Sequence, residues 1–300
     1  MIRASVDIGT NSVKLSVGDV SGREISMIED VSTVTKLGEG LAASGNLSSD
    51  AVKRTSLAVL GYVNRAKELK ACDIIIAGTM ALRSAKNSFE LIKSIKQLTN
   101  IDVRTISGEE EAKLSFAAAL YGIEGARSSK VVTFDTGGGS TEFVFGENGA
   151  ITYEKSINIG AIRLTEKYFA KTPVSEEELK IAQREITEEI SKEGISSSNA
   201  ILVAMGGNVT SMAAVKEGME VYDAKKIQGY LLTRDDADKL AKKFAFCSLE
   251  ERKKIKGLEA ARAEIITAGA CIVRGAMEVC RSDSLTVSDL GLRHMLLLRE

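Results

Sequence analysis

Asp7-Ile8-Gly9-Thr10-Asn11-Ser12 closes an apolar run that begins at Ile2, and Asp135-Thr136-Gly137-Gly138-Gly139-Ser140 closes another that begins at Val131. Each phrase opens a second strand-like segment, Val13 to Val20 after the first and Thr141 to Gly146 after the second. Strand, acidic residue, small-residue turn and strand describe a β-hairpin whose turn presents backbone N–H groups to a ligand. Glycine lets the backbone approach an anion and adopt positive φ. Successive N–H groups with a hydroxyl form a phosphate-sized nest. Two such hairpins in one chain predict two similar halves facing one polyanionic ligand.

Around the first hairpin, the pattern predicts strands over Ile2–Ile8, Val13–Val20 and Ile25–Thr35, then a Gly-punctuated loop from Lys36 to Leu41. Ser49-Asp50 cap a helix over 50–70 with apolar residues at Val52, Leu57, Leu60, Val63 and Leu69. A buried strand, Asp73 to Ala77, breaks at Gly78-Thr79; a helix follows across 80–99, then a strand from Asp102 to Ile106 and a helix from Glu109 to Tyr121. The order is βββαβαβα. The polar, Gly-rich stretch from Gly122 to Lys130 marks a boundary, giving domains 1–125 and 126–300. The second half repeats the order, with strands at 130–135, 141–146 and 150–157 and helices at 160–170 and 175–194. A strand from Ala200 to Ala204 then breaks at Gly206-Gly207, and a helix starts near Val209. The segment 234–280 reads as mostly helical, and its amphipathic face is one with which a second copy of the chain could pair. A short strand, Ser284–Val287, and a closing helix from Gly291, free to pack back on the first domain, complete the chain.

Composition narrows the chemistry. A net charge of −1 over 300 residues provides no global positive field for nucleic acid or an anionic membrane, so phosphate affinity must come from local geometry. No apolar run approaches the roughly 18–20 residues of a membrane helix, and Arg3 and Asp7 interrupt any signal-peptide core at the start. Cys72, Cys247, Cys271 and Cys280 form no Cys-x-x-Cys pair and are expected to be buried, reduced thiols of a cytoplasmic protein. The single histidine, His294, excludes multi-histidine metal sites and sits in an apolar run that suits a structural role. Acid–base work falls to Asp, Glu, Lys or Tyr.

Thr10, Asn11 and Ser12 supply N–H donors and hydroxyls on one side, and Gly137, Gly138, Gly139, Ser140 and Thr141 supply them on the other. Asp7 and Asp135 would meet the phosphates of that ligand, and like charges repel unless a cation lies between them. Mg²⁺ is therefore implied, held by a carboxylate or two with waters and phosphate oxygens. Asp135 and Glu142 are the leading ligands, with Asp7 as a third candidate. Glu142 reads equally as an outward-facing strand residue. Glu109, Glu110 and Glu111 stand in the first turn of a helix, where carboxylates suit the positive end of the macrodipole. Successive helical positions diverge by about 100°, so the three cannot share one environment. One of them facing the ligand would take a proton from a water aimed at a terminal phosphate.

The duplicated order is that of the paired ribonuclease-H-like domains of the actin, sugar-kinase and heat-shock-chaperone superfamily, an α/β fold. In that architecture the two β1–β2 turns face each other across a central cleft. The chain also carries, in order, Lys36-Leu37-Gly38-Glu39-Gly40-Leu41, Gly78-Thr79-Met80-Ala81-Leu82-Arg83, Ser107-Gly108-Glu109-Glu110-Glu111-Ala112, Asp135 through Glu142, and Gly160-Ala161-Ile162-Arg163. With the Asp7 phrase, this set resembles the exopolyphosphatase / guanosine pentaphosphate phosphohydrolase (Ppx/GppA) family from residue 5 to about 293. The resemblance implies that Glu111 is the catalytic base and that Arg83 holds a phosphate bidentately. It implies a second phosphate-facing arginine at Arg163, which reads equally as an ordinary surface residue, and a nucleoside-facing loop at Gly206, Gly207 and Asn208, which reads also as a simple strand-to-helix turn. Where members of that family often continue with Arg-Glu-Gly, this chain has Arg293-His294-Met295.

The expected activity is Mg²⁺-dependent hydrolysis of a terminal phosphoanhydride, in inorganic polyphosphate or at the 5′ γ-phosphate of guanosine pentaphosphate. A phosphotransferase of the same superfamily and a non-catalytic nucleotide-sensing module are the alternatives. Such kinases usually place an Asp base in the second domain, whereas the candidate Glu here is in the first.

Overall fold

The computed structural model describes residues 1–197 and 199–298. The chain divides into two compact units, Met1–Ala118 with Leu292–Glu300, and Ala119–Gly291. The change of unit thus falls late in the helix Gly108–Leu120, ahead of the polar stretch 122–130.

Unit 1 is built on a five-stranded sheet of β1 (Ile2–Ile8), β2 (Ser12–Ser21), β3 (Glu24–Val34), β4 (Asp73–Gly78) and β5 (Val103–Thr105). The strand order is β3-β2-β1-β4-β5, antiparallel through the first three and parallel from β1 to β5. Alternation sends Val6, Ile8, Val13, Leu15 and Ile76 to one face, where they pack against Val59 and Val63 of α1 (Ser49–Glu68) and Leu91 and Ile95 of α2 (Ser88–Thr99). Helix α1 starts where Ser48 accepts a bond from the Ala51 N–H, and its charges suit the dipole, with Asp50 in the first turn and Arg65 and Lys67 in the last. The helix expected across 80–99 is two pieces, a turn at Met80–Ser84 and α2. Ala85 is extended between them, and the Asn87 side chain is drawn off to pair with the Leu47 backbone at 2.8 and 3.0 Å. Helix α3 (Gly108–Leu120) follows β5.

The opposite face of the sheet is covered from the far end of the chain. Ile75, Ala77 and Ile106 pack with Leu292 and Leu296. Ser5 donates to the Arg293 carbonyl at 2.6 Å, and Arg3 to the Leu297 carbonyl at 3.0 Å. Asp30 accepts from Ser16 at 2.8 Å and from the Arg293 fork at 2.9 and 2.8 Å, and His294 Nε2 lies 3.1 Å from it. His294 is buried, in the structural role its apolar surroundings indicated. Burial opposes ionisation of Asp30, but the bonds and charges of Arg293 and His294 outweigh it and hold the carboxyl well below the usual range.

Unit 2 contains β6 (Lys130–Thr136), β7 (Thr141–Glu147), β8 (Ala150–Ile157), β9 (Ile201–Met205), β10 (Leu231–Thr233) and β11 (Ser284–Val287) in the order β10-β11-β9-β6-β7-β8. Without β10 this is the order of unit 1. Strand β10 is an antiparallel edge addition of three residues, too short to show alternation in the sequence. The longer helices are α4 (Ala161–Tyr168), α5 (Glu176–Lys192), α6 (Gly207–Glu217), α7 (Arg234–Ala245) and α8 (Ile266–Val279). Phe134 and Phe143 are cross-strand partners with ring centroids 5.5 Å apart, at the base of a core that includes Val209, Met212, Phe244 and Ile272. The apolar face expected of 234–280 is used inside this core: α7 buries Ala237, Leu240, Ala241 and Phe244, and α8 is apolar and buried on nearly every side.

Candidate active site

Ligands of open α/β sheets bind beyond the carboxyl ends of parallel strands. In unit 1 the chain leaving β1, β4 and β5 carries the Asp7 turn, Thr79 to Arg83, and Ser107 to Glu111. Asp7 is level with Lys14 on β2 and Ala77 on β4. The Gly9 N–H closes the turn on the Ser12 carbonyl at 3.0 Å. Behind the turn, the Thr10 carbonyl accepts from Gly38 at 2.8 Å, and the Asn11 carbonyl accepts from Thr35 and Lys36 at 2.9 and 2.8 Å. Gly38 is required there, because a Cβ would run into the Thr10 methyl. A trans peptide points its N–H opposite to its carbonyl, so the Asn11 N–H faces away from this support.

The three glutamates of α3 diverge as their spacing demands. Glu109 pairs with Lys113 at 2.5 Å, Glu110 with Arg104 at 2.6 Å, and Glu111 with Arg83 at 2.6 Å. Arg83 also donates to the Ile106 carbonyl at 2.8 Å. The arginine and the glutamate that the resemblance singled out are therefore neighbours. Asp7 Oδ1 is buried without a hydrogen-bond partner. Burial raises the Asp7 pKa, against the lowering influence of Lys14, Arg293 and His294.

In unit 2 the Gly137 N–H closes the second turn on the Ser140 carbonyl at 2.9 Å, the same bond as in the first. The first N–H groups of α4 grip this turn from behind: Ala161 donates to Gly137 at 3.0 Å and Ile162 to Gly138 at 2.9 Å. By the trans-peptide rule the N–H groups of Gly138 and Gly139 point the other way. Gly160 packs so closely on Gly138 and Gly139 that no side chain fits there. Asp135, Glu142 and Ser156 are level across β6, β7 and β8. Ser140 and Ser156 both donate to Glu142 Oε1, at 2.5 and 2.9 Å, so this exposed carboxylate is tied to the turn. Gly206, at φ 88° and ψ 165°, lies directly against Asp135 Oδ1 and leaves no room for a Cβ.

Several expectations need correction. Thr141 is fully buried, and its hydroxyl donates to the Ile159 carbonyl at 2.6 Å, so it does not face a phosphate. The Asn208 side chain is 2% exposed and bonds the Thr136 carbonyl at 3.0 Å, so it braces the Asp135 strand end instead of meeting a nucleoside. Arg163 donates to the Asn158 carbonyl at 2.7 Å. Cys271 and Cys280 are buried, with thiols pushed up to about 12 by desolvation, but Cys72 is exposed and Cys247 half-buried.

One residue escaped the sequence reading. The Arg262 guanidinium rests on Gly207 at the first residue of α6, in space that any Cβ would fill. A cation at the positive end of a helix is unfavourable by itself, and here the exposed Glu259, whose carboxylate accepts from Arg262 Nε at 3.2 Å, offsets it. The local i,i+3 pair with Glu259 reads as an ordinary surface ion pair, and only the packing on distant Gly207 sets Arg262 apart.

The carboxylates fit a divalent cation of the Mg²⁺ type. Such an ion takes one or two carboxylates plus waters and phosphate oxygens. In unit 2, Asp135 and Glu142 supply a level pair on adjacent strands; in unit 1, taken by itself, Asp7 has an orphaned buried oxygen. Among the described residues, no group of three or more His, Cys, Asp or Glu side chains forms a dedicated cage.

A five-strand order built twice, each time with an acidic β-hairpin turn, defines a protein of the ribonuclease-H-like, actin-like ATPase superfamily. Within it, residues 16–300 match the Ppx/GppA phosphatase family, and the chain belongs to that family. The crystal structure of the Aquifex aeolicus Ppx/GppA phosphatase is similar with a TM-score of 0.87 at 32% identity, covering 99% of this chain and 98% of that one. Exopolyphosphatase 2 of Mycobacterium tuberculosis is 29% identical over 95% of this chain and 94% of its own length. The bifunctional 3-dehydroquinate synthase/phosphatase of Fusobacterium nucleatum is 30% identical over 96% of this chain, which spans 45% of that longer relative. The family and the duplicated fold expected from the sequence are thus borne out. Among the described residues, no helix is long and apolar enough to cross a membrane.

Proposed function

We propose that this protein is a Mg²⁺-dependent phosphoanhydride hydrolase that releases the terminal phosphate of inorganic polyphosphate, with the 5′ γ-phosphate of guanosine pentaphosphate as the alternative substrate. Family membership and the similarity to an exopolyphosphatase support the reaction class. The observation that carries the reading is the 2.6 Å pair of Arg83 and Glu111, a phosphate-binding fork beside a carboxylate base. A terminal phosphate competes with Glu111 for the Arg83 fork. Glu111 then accepts a proton from the attacking water as its oxygen bonds to phosphorus and the anhydride P–O bond breaks, leaving orthophosphate and a chain one phosphate shorter. The outward N–H group of Asn11 in unit 1, and those of Gly138 and Gly139 in unit 2, are each donors suited to phosphate oxygens. Asp135 and Glu142 would hold the metal, which supplies Lewis-acid neutralisation of the phosphate charge; Asp7 is the candidate ligand of unit 1.

The test is phosphate release with Mg²⁺ from short and long polyphosphate, guanosine pentaphosphate, ATP and pyrophosphate. Glu111→Gln is expected to lower kcat by about 10²–10⁴ without changing the melting temperature, and chelation of the metal to stop turnover until Mg²⁺ is restored. Near-wild-type turnover by Glu111→Gln would remove Glu111 from its role.

A further inference from the structure

The segment from Lys253 to Ala263 contains no long helix or strand, yet it is fixed at three points. Gly257, at φ +87°, backs onto the Ala214 carbonyl in α6, where any Cβ would collide. Farther along, Arg262 rests on Gly207 while its Nε donates to Glu259 at 3.2 Å, a pair that an anionic ligand would compete with. From Gly207 to Ala214 the helix rises about 10 Å, so the segment is a strap laid along α6 and registered near both of its ends.

The third point is Arg252. Its side chain is 1% exposed, with Nη1 donating to the Ala263 carbonyl at 2.8 Å and Nη2 to the Cys247 carbonyl at 3.1 Å. Among the described residues no carboxylate pairs with it, and its Nε is buried without a partner. A buried cation held only by carbonyls is costly, and apolar packing of the same loop would avoid that cost. What the planar fork provides is two fixed directions at once, one to each end of the loop, which a lysine point charge cannot reproduce. Ala263 is the residue next to Arg262.

We propose that Arg252 is a positioning residue: its bonds to Cys247 and Ala263 hold the strap so that Arg262 stands over Gly207 and meets the anionic substrate. The substrate half of this inference rests on the function proposed above; the strap half does not.

The experiment combines Arg252→Gln and Arg252→Lys with Arg262→Ala, singly and paired, and measures kcat and KM for inorganic polyphosphate together with amide exchange at residues 260–263. The expected result is a roughly tenfold rise in KM for Arg252→Gln, with kcat within about twofold and faster exchange at 260–263. In the Arg262→Ala background the same change adds nothing to KM. Additive KM effects, or a lowered melting temperature with unchanged KM, would overturn the positioning role. If Arg252→Gln fails to fold, Gly257→Ala disturbs the strap from its other end and is held to the same criteria. If the wild type cleaves no phosphate chain, the functional reading falls and takes the substrate half with it. Exchange then decides the strap alone: faster exchange confined to 260–263 sustains it, and unchanged exchange refutes it.

Discussion

Replacing Gly206 with alanine separates the needs of the site from those of the fold. Gly206 sits at φ 88° and ψ 165°, a backbone region that is almost exclusively glycine's, and holding another residue there costs about 1–3 kcal/mol. The new Cβ would also fall well inside 3.0 Å of Asp135 Oδ1, so the carboxylate must shift by about 1 Å. A misplacement of that size in catalytic geometry costs on the order of 10²-fold in rate. Gly218 is the control: it also has positive φ, 61°, but a Cβ there meets nothing within 4 Å. Gly218→Ala should cost about 1 kcal/mol in stability and leave turnover untouched. The assay is phosphate release under saturating Mg²⁺, with chemical denaturation of both variants. Gly206→Ala with the turnover of Gly218→Ala would refute the claim that the Asp135 carboxylate must lie where Gly206 allows it.

Two further predictions concern charge in unit 1. Burial raises the Asp7 pKa, so its contribution is complete below the usual carboxylate value, near 4, and is lost as pH rises through the folded value. Asp7→Asn should therefore raise the melting temperature at pH 7 but not near pH 3, while impairing activity; a lower melting temperature at pH 7 would contradict this. Asp30 has the opposite sign: its pKa is depressed, so its stabilisation is present above about pH 4 and fades as the solution becomes more acidic. Asp30→Asn should cost about 3 kcal/mol at neutral pH by removing the carboxylate that pairs with Arg293, and the deficit should narrow in acid, as equilibrium unfolding at the two pH values would record.

What the sequence revealed was local in origin. The Asp7 and Asp135 phrases fold into turns closed by the same bond, because glycine and a following serine recur at the same spacing. The divergence of Glu109, Glu110 and Glu111 follows from helix geometry, and each meets a different cation. What stayed hidden depends on partners distant in the chain. Thr141 loses its hydroxyl to Ile159, the break before α2 comes from Asn87 serving Leu47, and Asn208 turns inward because Gly269 makes room for it. Arg262 becomes visible only once the strap is laid on α6.

Unit 1 takes its last piece, Leu292 onward, from beyond the whole of unit 2. On the ribosome, the face of β4 bearing Ile75 and Ala77 therefore emerges long before Leu292 and Leu296 exist to cover it. The first unit, though begun first, stays incomplete until translation has passed residue 296.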